Sequence, residues 1–265
     1  MRDARRAADY LEERLGPARP ELAIVLGSGL GAIAETLEDA KRIASDEVPG
    51  FPRATIAGHA GEIHIGRWGA RTVLVFQGRV HLYEGHRIER VTLAVRVAAA
   101  LGARDLILTN AAGSCDPAIP PGSLMRADDL MNLFFIRIGG TAGNGRIGGG
   151  GILDPILKRA IDEAARLEGI ELRTGVLCGS IGPSYETASE IRLWRRIGAS
   201  AACMSTVPEA FAARAVGMRV AAISLITNLG TGIASGPLDH AEVMALGARA
   251  GGELGRLLRR TAEIL

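Results

Sequence analysis

Between Gly182 and Asn228 the chain sets down polar side chains where apolar runs stop. The run Val176-Leu177-Cys178 ends in Gly179, and Gly182-Pro183 then forces a turn that presents Tyr185 and Glu186. A second apolar run, residues 220–226, ends in Thr227-Asn228. Delivered by neighbouring strand ends, a carboxylate that accepts and an amide that both donates and accepts suit the edge of a flat, polar heterocycle.

A second group of residues suits an anion. Residues 21–26 read as a short strand running into Gly27-Ser28-Gly29-Leu30-Gly31-Ala32, with a helical pattern from there through about Ala40. Backbone N–H groups of a glycine turn at a helix start, joined by the Ser28 hydroxyl, fit one phosphate. The same stretch matches the dinucleotide pattern G-x-G-x-x-A, with Asp46 near the distance expected for a ribose-binding acid. The residues beyond Asp46 argue against that match: Pro49, Gly50 and Pro52 precede two alternating segments, 62–66 and 72–76, that read as a hairpin rather than as helix and strand. His59 sits in a glycine-flanked loop, and Arg79 and His81 alternate with Val80 and Leu82, so that strand spacing puts both on one face continued by Tyr83. A cation, an imidazole and an aromatic ring together suit an anion lying beside a sugar. Residues 105–109 read as a buried strand leading into Asn110-Ala111-Ala112-Gly113-Ser114, small enough for a ligand to approach the backbone.

After the apolar Ala201-Ala202-Cys203, the turn Met204-Ser205-Thr206-Val207-Pro208-Glu209 opens a helix with Ser205 or Thr206 as N-cap. In this order and spacing, G-P-S-Y-E-T, M-S-T-V-P-E and S-L-I-T-N resemble the trimeric class of purine nucleoside phosphorylases. G-H-A-G, Q-G-R-x-H-x-Y-E-G and T-N-A-A-G resemble it too, so the likeness spans most of residues 21–245. It implies reversible phosphorolysis of purine (deoxy)ribonucleosides, with 6-oxopurines preferred, to free base and (deoxy)ribose 1-phosphate in purine salvage. It also implies a homotrimer, with inorganic phosphate as co-substrate and neither cofactor nor metal. Carried over position by position, it assigns phosphate to Ser28, His59, Arg79, His81, the backbone N–H of Ala111 and Ser205. The sugar falls to Tyr83, Met204 and His240, and the base to Tyr185, Glu186, Thr227 and Asn228. The groups closest to the chemistry are then His81, Glu186, Asn228 and His240.

Asn228 stands where methylthioadenosine phosphorylases carry Asp, and His240 would face a methylthio group that wants an apolar partner; both disfavour that rival substrate. Residues 137–151, RIGGTAGNGRIGGGG, form a glycine-rich loop where family members carry a Phe that covers the neighbouring sugar across the trimer interface. Here no Phe lies between Phe135 and Phe211. That departure keeps open a non-catalytic purine nucleoside-binding protein. Cys203 stands where many relatives have Gly.

To position these residues the chain has amphipathic helical patterns at 3–15, 90–101, 155–168, 189–197 and from 240 to about 264. Glycines or Gly-Pro end the first four. Helices alternating with short apolar strands read as α/β: one domain over residues 1–265 with a mixed, twisted central sheet flanked by helices. Its 265 residues, 48% of them hydrophobic, can bury a large core, and a formal charge of +2 gives no footprint for nucleic acid. Three cysteines without C-x-x-C spacing argue against a zinc knuckle or disulfide framework, and the charged N-terminus lacks the apolar core of a signal peptide. With no apolar run of membrane-spanning length, the expected setting is cytoplasmic.

Overall fold

The structure is a computed structural model that describes residues 2–16, 19–52, 61–134, 151–233 and 240–265, the side chains of 240–249 excepted. His59 and most of the glycine-rich loop therefore lie outside the described residues, as does the side chain of His240. The chain opens on helix α1 (Arg2–Leu15), whose Ala4, Ala7, Ala8, Leu11 and Leu15 recur every three or four residues and are buried. Strand β1 (Leu22–Val25) is buried throughout because parallel strands β4 (Arg71–Gln77) and β5 (Asp105–Ser114) flank it. Its side chains alternate between two cores, Ala23 and Val25 to one face and Leu22 and Ile24 to the other.

The helical pattern expected through Ala40 does not form. A six-residue 3-10 segment, Gly31–Thr36, gives way at Leu37 to strand β2 (Glu38–Ala44), which pairs antiparallel with β3 (Glu62–Trp68). β3 and β4 form the expected hairpin. With an antiparallel meander where a dinucleotide domain would continue strand, helix, strand, the G-x-G-x-x-A match has no structural context. The helix expected at 90–101 is divided into α2 (Ile88–Val91) and α3 (Leu93–Ala100) at Thr92.

The second half adds β6 (Leu124–Asn132), α4 (Pro155–Glu168), β7 (Leu172–Gly179), α5 (Ala188–Arg196), β8 (Ala201–Cys203), α6 (Val207–Ala215), β9 (Arg219–Leu229) and α7 (His240–Ile264). Among the described residues the nine strands run β2-β3-β4-β1-β5-β8-β7-β6-β9, and β9 pairs back onto β5. Strands β5, β8, β7, β6 and β9 thus close into a ring, so the mixed sheet ends in a small barrel. β7 and β9 do not pair with each other; each pairs with β6. The strand ends that carry Glu186 and Asn228 are therefore not adjacent in the sheet, contrary to the sequence expectation, and converge across the ring instead. Buried residues of α1, α3 and α6 fill one core, and those of α4 and α7 fill the other.

Candidate active site

Strand β1 stops at Val25, and Leu26-Gly27 carries the chain against β5. A Cβ on Gly27 would lie 2.7 Å from the Cα of Asn110, so only glycine permits this approach. The Gly27 N–H donates to Thr109 Oγ1 at 3.1 Å. Ser28 then enters a cleft whose other walls are the ends of β5, β8 and β9 and the segments after β4 and β7. The cleft holds about 960 Å³ of empty space, the open solvent at its mouth included.

The segment after β4 contributes Arg79, His81 and Tyr83. They share the cleft, although not by strand alternation: β4 ends at Gln77, and Leu82–Glu84 is a 3-10 turn. The His81 and Tyr83 rings stack, with centroids 4.8 Å apart and planes 15° from parallel. One carboxylate oxygen of Glu84 accepts from the His81 backbone N–H at 2.6 Å and lies 3.2 Å from its Nδ1. If Nδ1 carries the proton donated there, Nε2 is left as an acceptor. Burial, and then the neighbouring Arg79 charge, push the His81 pKa below its usual value, so the ring is neutral at pH 7.

Arg79 is 7% exposed and anchored inward. Its Nε donates to Glu209 Oε1 at 3.1 Å, and Nη1 donates to the Thr109 carbonyl at 2.7 Å. The second Glu209 oxygen accepts from the Thr206 N–H at 3.2 Å. Thr206, the N-cap residue of α6, has φ 64° and ψ −54°, and the Val207 N–H closes back on the Ser205 carbonyl at 2.6 Å. This is a positive-φ γ-turn, a strained conformation for a β-branched residue. Asn110 Nδ2 donates to its hydroxyl at 2.9 Å. Held between Glu209 and Asn110, the turn sets Ser205 into the cleft beside Met204.

On the far wall, Ser180 Oγ donates to Glu186 Oε1 at 3.0 Å, and Tyr185 lies at the rim, 53% exposed. The register of β9 on β5 slips at the site: Ala112 faces Ile226 while Gly113 faces Asn228, making Thr227 the extra residue of a bulge. The Thr227 hydroxyl lies 2.8 Å from Asn228 Oδ1 and 3.3 Å from the Ala112 carbonyl; its single proton favours the shorter contact. That fixes the amide with Oδ1 inward and leaves Nδ2, which donates to the Leu229 carbonyl at 3.1 Å, with a second hydrogen to give. Buried Cys203 also lines the cleft, and burial raises its thiol pKa to about 11. It is a protonated thiol at neutral pH, unsuited to nucleophilic attack.

Every residue the sequence nominated, apart from His59 and His240, therefore borders one cleft: Ser28, Arg79, His81, Tyr83, Ala111, Tyr185, Glu186, Met204, Ser205, Thr227 and Asn228. Sequence reasoning misses the residues that hold them. Glu84 is three residues from His81 within Y-E-G, and Glu209 is three residues past the N-cap within M-S-T-V-P-E, a capping-box spacing that signals such a support. Asn110, inside T-N-A-A-G, reads from sequence only as part of a small-residue turn.

The model of the phosphorylase superfamily matches residues 21–263. Over 250 residues the chain is 40% identical to purine nucleoside phosphorylase 1 of Geobacillus stearothermophilus, covering 90% of this chain and 88% of that protein. Against the purine nucleoside phosphorylase of Mycobacterium tuberculosis it is 42% identical over 257 residues, 96% and 93% of the two chains. Among solved structures, a schistosome purine nucleoside phosphorylase in complex with hypoxanthine superposes with a TM-score of 0.89 at 28% identity, covering 99% of this chain and 97% of that one. A Schistosoma mansoni purine nucleoside phosphorylase in complex with adenosine gives 0.87 at the same identity, covering 99% and 97%.

Proposed function

This chain belongs to the phosphorylase superfamily, and within it to the purine nucleoside phosphorylases, and from that premise we propose that it phosphorolyses 6-oxopurine (deoxy)ribonucleosides in purine salvage. The observation that carries the proposed base preference is the amide of Asn228, turned by Thr227 so that it offers a hydrogen to the ligand, on a cleft whose opposite wall holds a carboxylate.

In this reading phosphate attacks the anomeric carbon while the bond to the base breaks. The sugar becomes oxocarbenium-like and the purine departs with negative charge. Asn228 Nδ2 donates to N7 as charge gathers there, and Glu186 accepts from the N1–H of a 6-oxopurine. Ser28, the Ala111 N–H and Ser205 donate to phosphate, Arg79 supplies positive charge beside it, and neutral His81 accepts from a phosphate O–H. Tyr83 and Met204 face the sugar. His59 for the phosphate and His240 for the 5′-hydroxyl are assigned from family likeness alone. Phosphate is a co-substrate, and the reading needs no cofactor.

A homotrimer is part of the proposal. Exposed Ile181 and Tyr185 near the cleft, with Leu193 and Ile197 four residues apart at α5, support an apolar contact there. Among the described residues no helix is long and apolar enough to cross a membrane, and the three cysteines are free; a cytoplasmic setting is a further part of the proposal.

The test is base release from inosine, guanosine, xanthosine, adenosine and methylthioadenosine, each with and without inorganic phosphate. Phosphate-dependent release from the 6-oxopurines supports the whole reading. Release confined to the adenine compounds keeps the reaction and overturns the base assignment. Binding without release in folded protein overturns catalysis.

A further inference from the structure

We propose that His64, Glu62, Glu35 and Gln77 form a site for one divalent first-row transition ion, with zinc as the type ion, outside the cleft. Side-chain ligand atoms of Glu35, Glu62 and His64 lie within 4.8 Å of one another. They arrive from different elements. Glu62 and His64 are two apart on β3 and so share a face, Gln77 on β4 is the register partner of Glu62, and Glu35 comes from the 3-10 segment above them.

His64 is buried at 1% exposure, and its Nε2 faces two oxygens at once, Glu62 Oε2 at 3.1 Å and Gln77 Oε1 at 3.3 Å. The Gln77 amide has its oxygen toward the histidine because its Nε2 donates to the Gly31 carbonyl at 3.0 Å. Gly31 leaves the room for this, since a Cβ there would lie 2.8 Å from Gln77 Nε2. A single N–H cannot serve both oxygens well, and the carboxylate of Glu35 adds negative charge. Donors bound about 2.0–2.2 Å from a tetrahedral ion stand roughly 3.2–3.6 Å apart, close to the two separations already present. One imidazole with carboxylate and amide oxygens is a borderline set that favours zinc and its first-row neighbours over calcium or magnesium. Arg42 lies 3.8 Å from Glu62 Oε2, but its side chain is 65% exposed and can turn to solvent. On binding, the ion takes the place of the Nε2 proton, which leaves to water. It would tie the 3-10 segment to the β3–β4 hairpin and so brace the turn that carries Ser28. The inference does not depend on the activity proposed above.

The experiment is a calorimetric titration of chelator-treated full-length protein with zinc alone, repeated with cobalt followed by visible absorption. The expected result is one equivalent bound, a rise in melting temperature, and cobalt bands of nitrogen and oxygen ligation. Glu35→Gln, at an exposed position, should weaken zinc by about tenfold or more while leaving the melting temperature of the metal-free protein unchanged. His64→Gln should abolish binding. Absence of saturable binding overturns the site, as does undiminished affinity in a folded Glu35→Gln/Glu62→Gln protein. A cobalt–thiolate charge-transfer band would also overturn it, by moving the ion to a cysteine.

Discussion

Asn228→Ala removes one preorganised donor and leaves the bulge that carries it. Its Nδ2 already gives one hydrogen to the Leu229 carbonyl, so the other is the one available to the departing base. Loss of such a donor costs about 2.7–4 kcal/mol of transition-state stabilisation, or roughly 10²–10³ in turnover. Thr227→Val separates orientation from donation. It deletes the 2.8 Å hydrogen bond to Oδ1 and leaves the amide free to rotate, a loss of about 0.5–1.5 kcal/mol, or roughly two- to thirteenfold. Thr227→Ser keeps the hydroxyl and should restore most of the rate. Since Thr227 acts through Asn228, the double variant Thr227→Val/Asn228→Ala should be no slower than Asn228→Ala alone. The assay is hypoxanthine release from inosine at saturating phosphate, with circular dichroism melts to verify folding. A folded Asn228→Ala enzyme within a few-fold of normal would refute the base-stabilising role, and additive losses in the double variant would refute the positioning role.

The same geometry sets three further outcomes. The Arg79–Glu209 pair has side chains only 3% and 2% exposed, so Glu209→Ala strands a buried guanidinium and should lower unfolding free energy by about 3–5 kcal/mol in denaturant titration; an unchanged midpoint would count against it. His81 has a pKa depressed by burial and Arg79, so the unfolded chain binds its proton more readily than the folded one; stability should fall as pH drops through 6.5 toward the lower folded value, and His81→Asn should flatten that part of a plot of melting temperature against pH. Cys203, raised to about 11 and 4% exposed, should resist iodoacetamide at pH 7.5 without loss of activity, and rapid stoichiometric inactivation through it would contradict its role as a packed thiol.

What the sequence made legible was local. α4 begins and ends where its residues say, since Asp154 caps the N–H groups of Ile156 and Leu157 and Gly169 takes the left-handed conformation after Glu168. β2 was illegible because Glu38, Asp39, Lys41 and Arg42 stand on a strand that, among the described residues, has a neighbour on one side alone, where nothing enforces apolar alternation. Ile33, Ala34 and Leu37 meanwhile imitate a helical face. β6 hid for another reason: it pairs with β9 only over Leu124–Arg126, and its ladder with β7 slips in register at Ala127/Asp129, where Asp128 and Asp129 are exposed. In the cleft, residue types gave the groups that line it, whereas their supports join distant positions. Arg79 meets Glu209 across 130 residues and Asn110 meets Thr206 across 96, pairings that no local spacing records. Strand alternation groups Arg79, His81 and Tyr83 for the wrong reason, since no strand exists there; a turn brings them together instead.

The γ-turn at Thr206 places durability and catalysis in opposition at one position. A backbone at φ 64° would suit glycine, which adopts it without the cost of order 1–3 kcal/mol borne by a β-branched residue. Glycine would also lack the hydroxyl that Asn110 grips and would loosen the seat of Ser205. Screens that reward heat tolerance alone should therefore drift toward relaxing this turn, whereas screens that reward turnover should restore it. Stability engineering of this chain has reason to leave the residue untouched and to look instead to the helices outside the sheet.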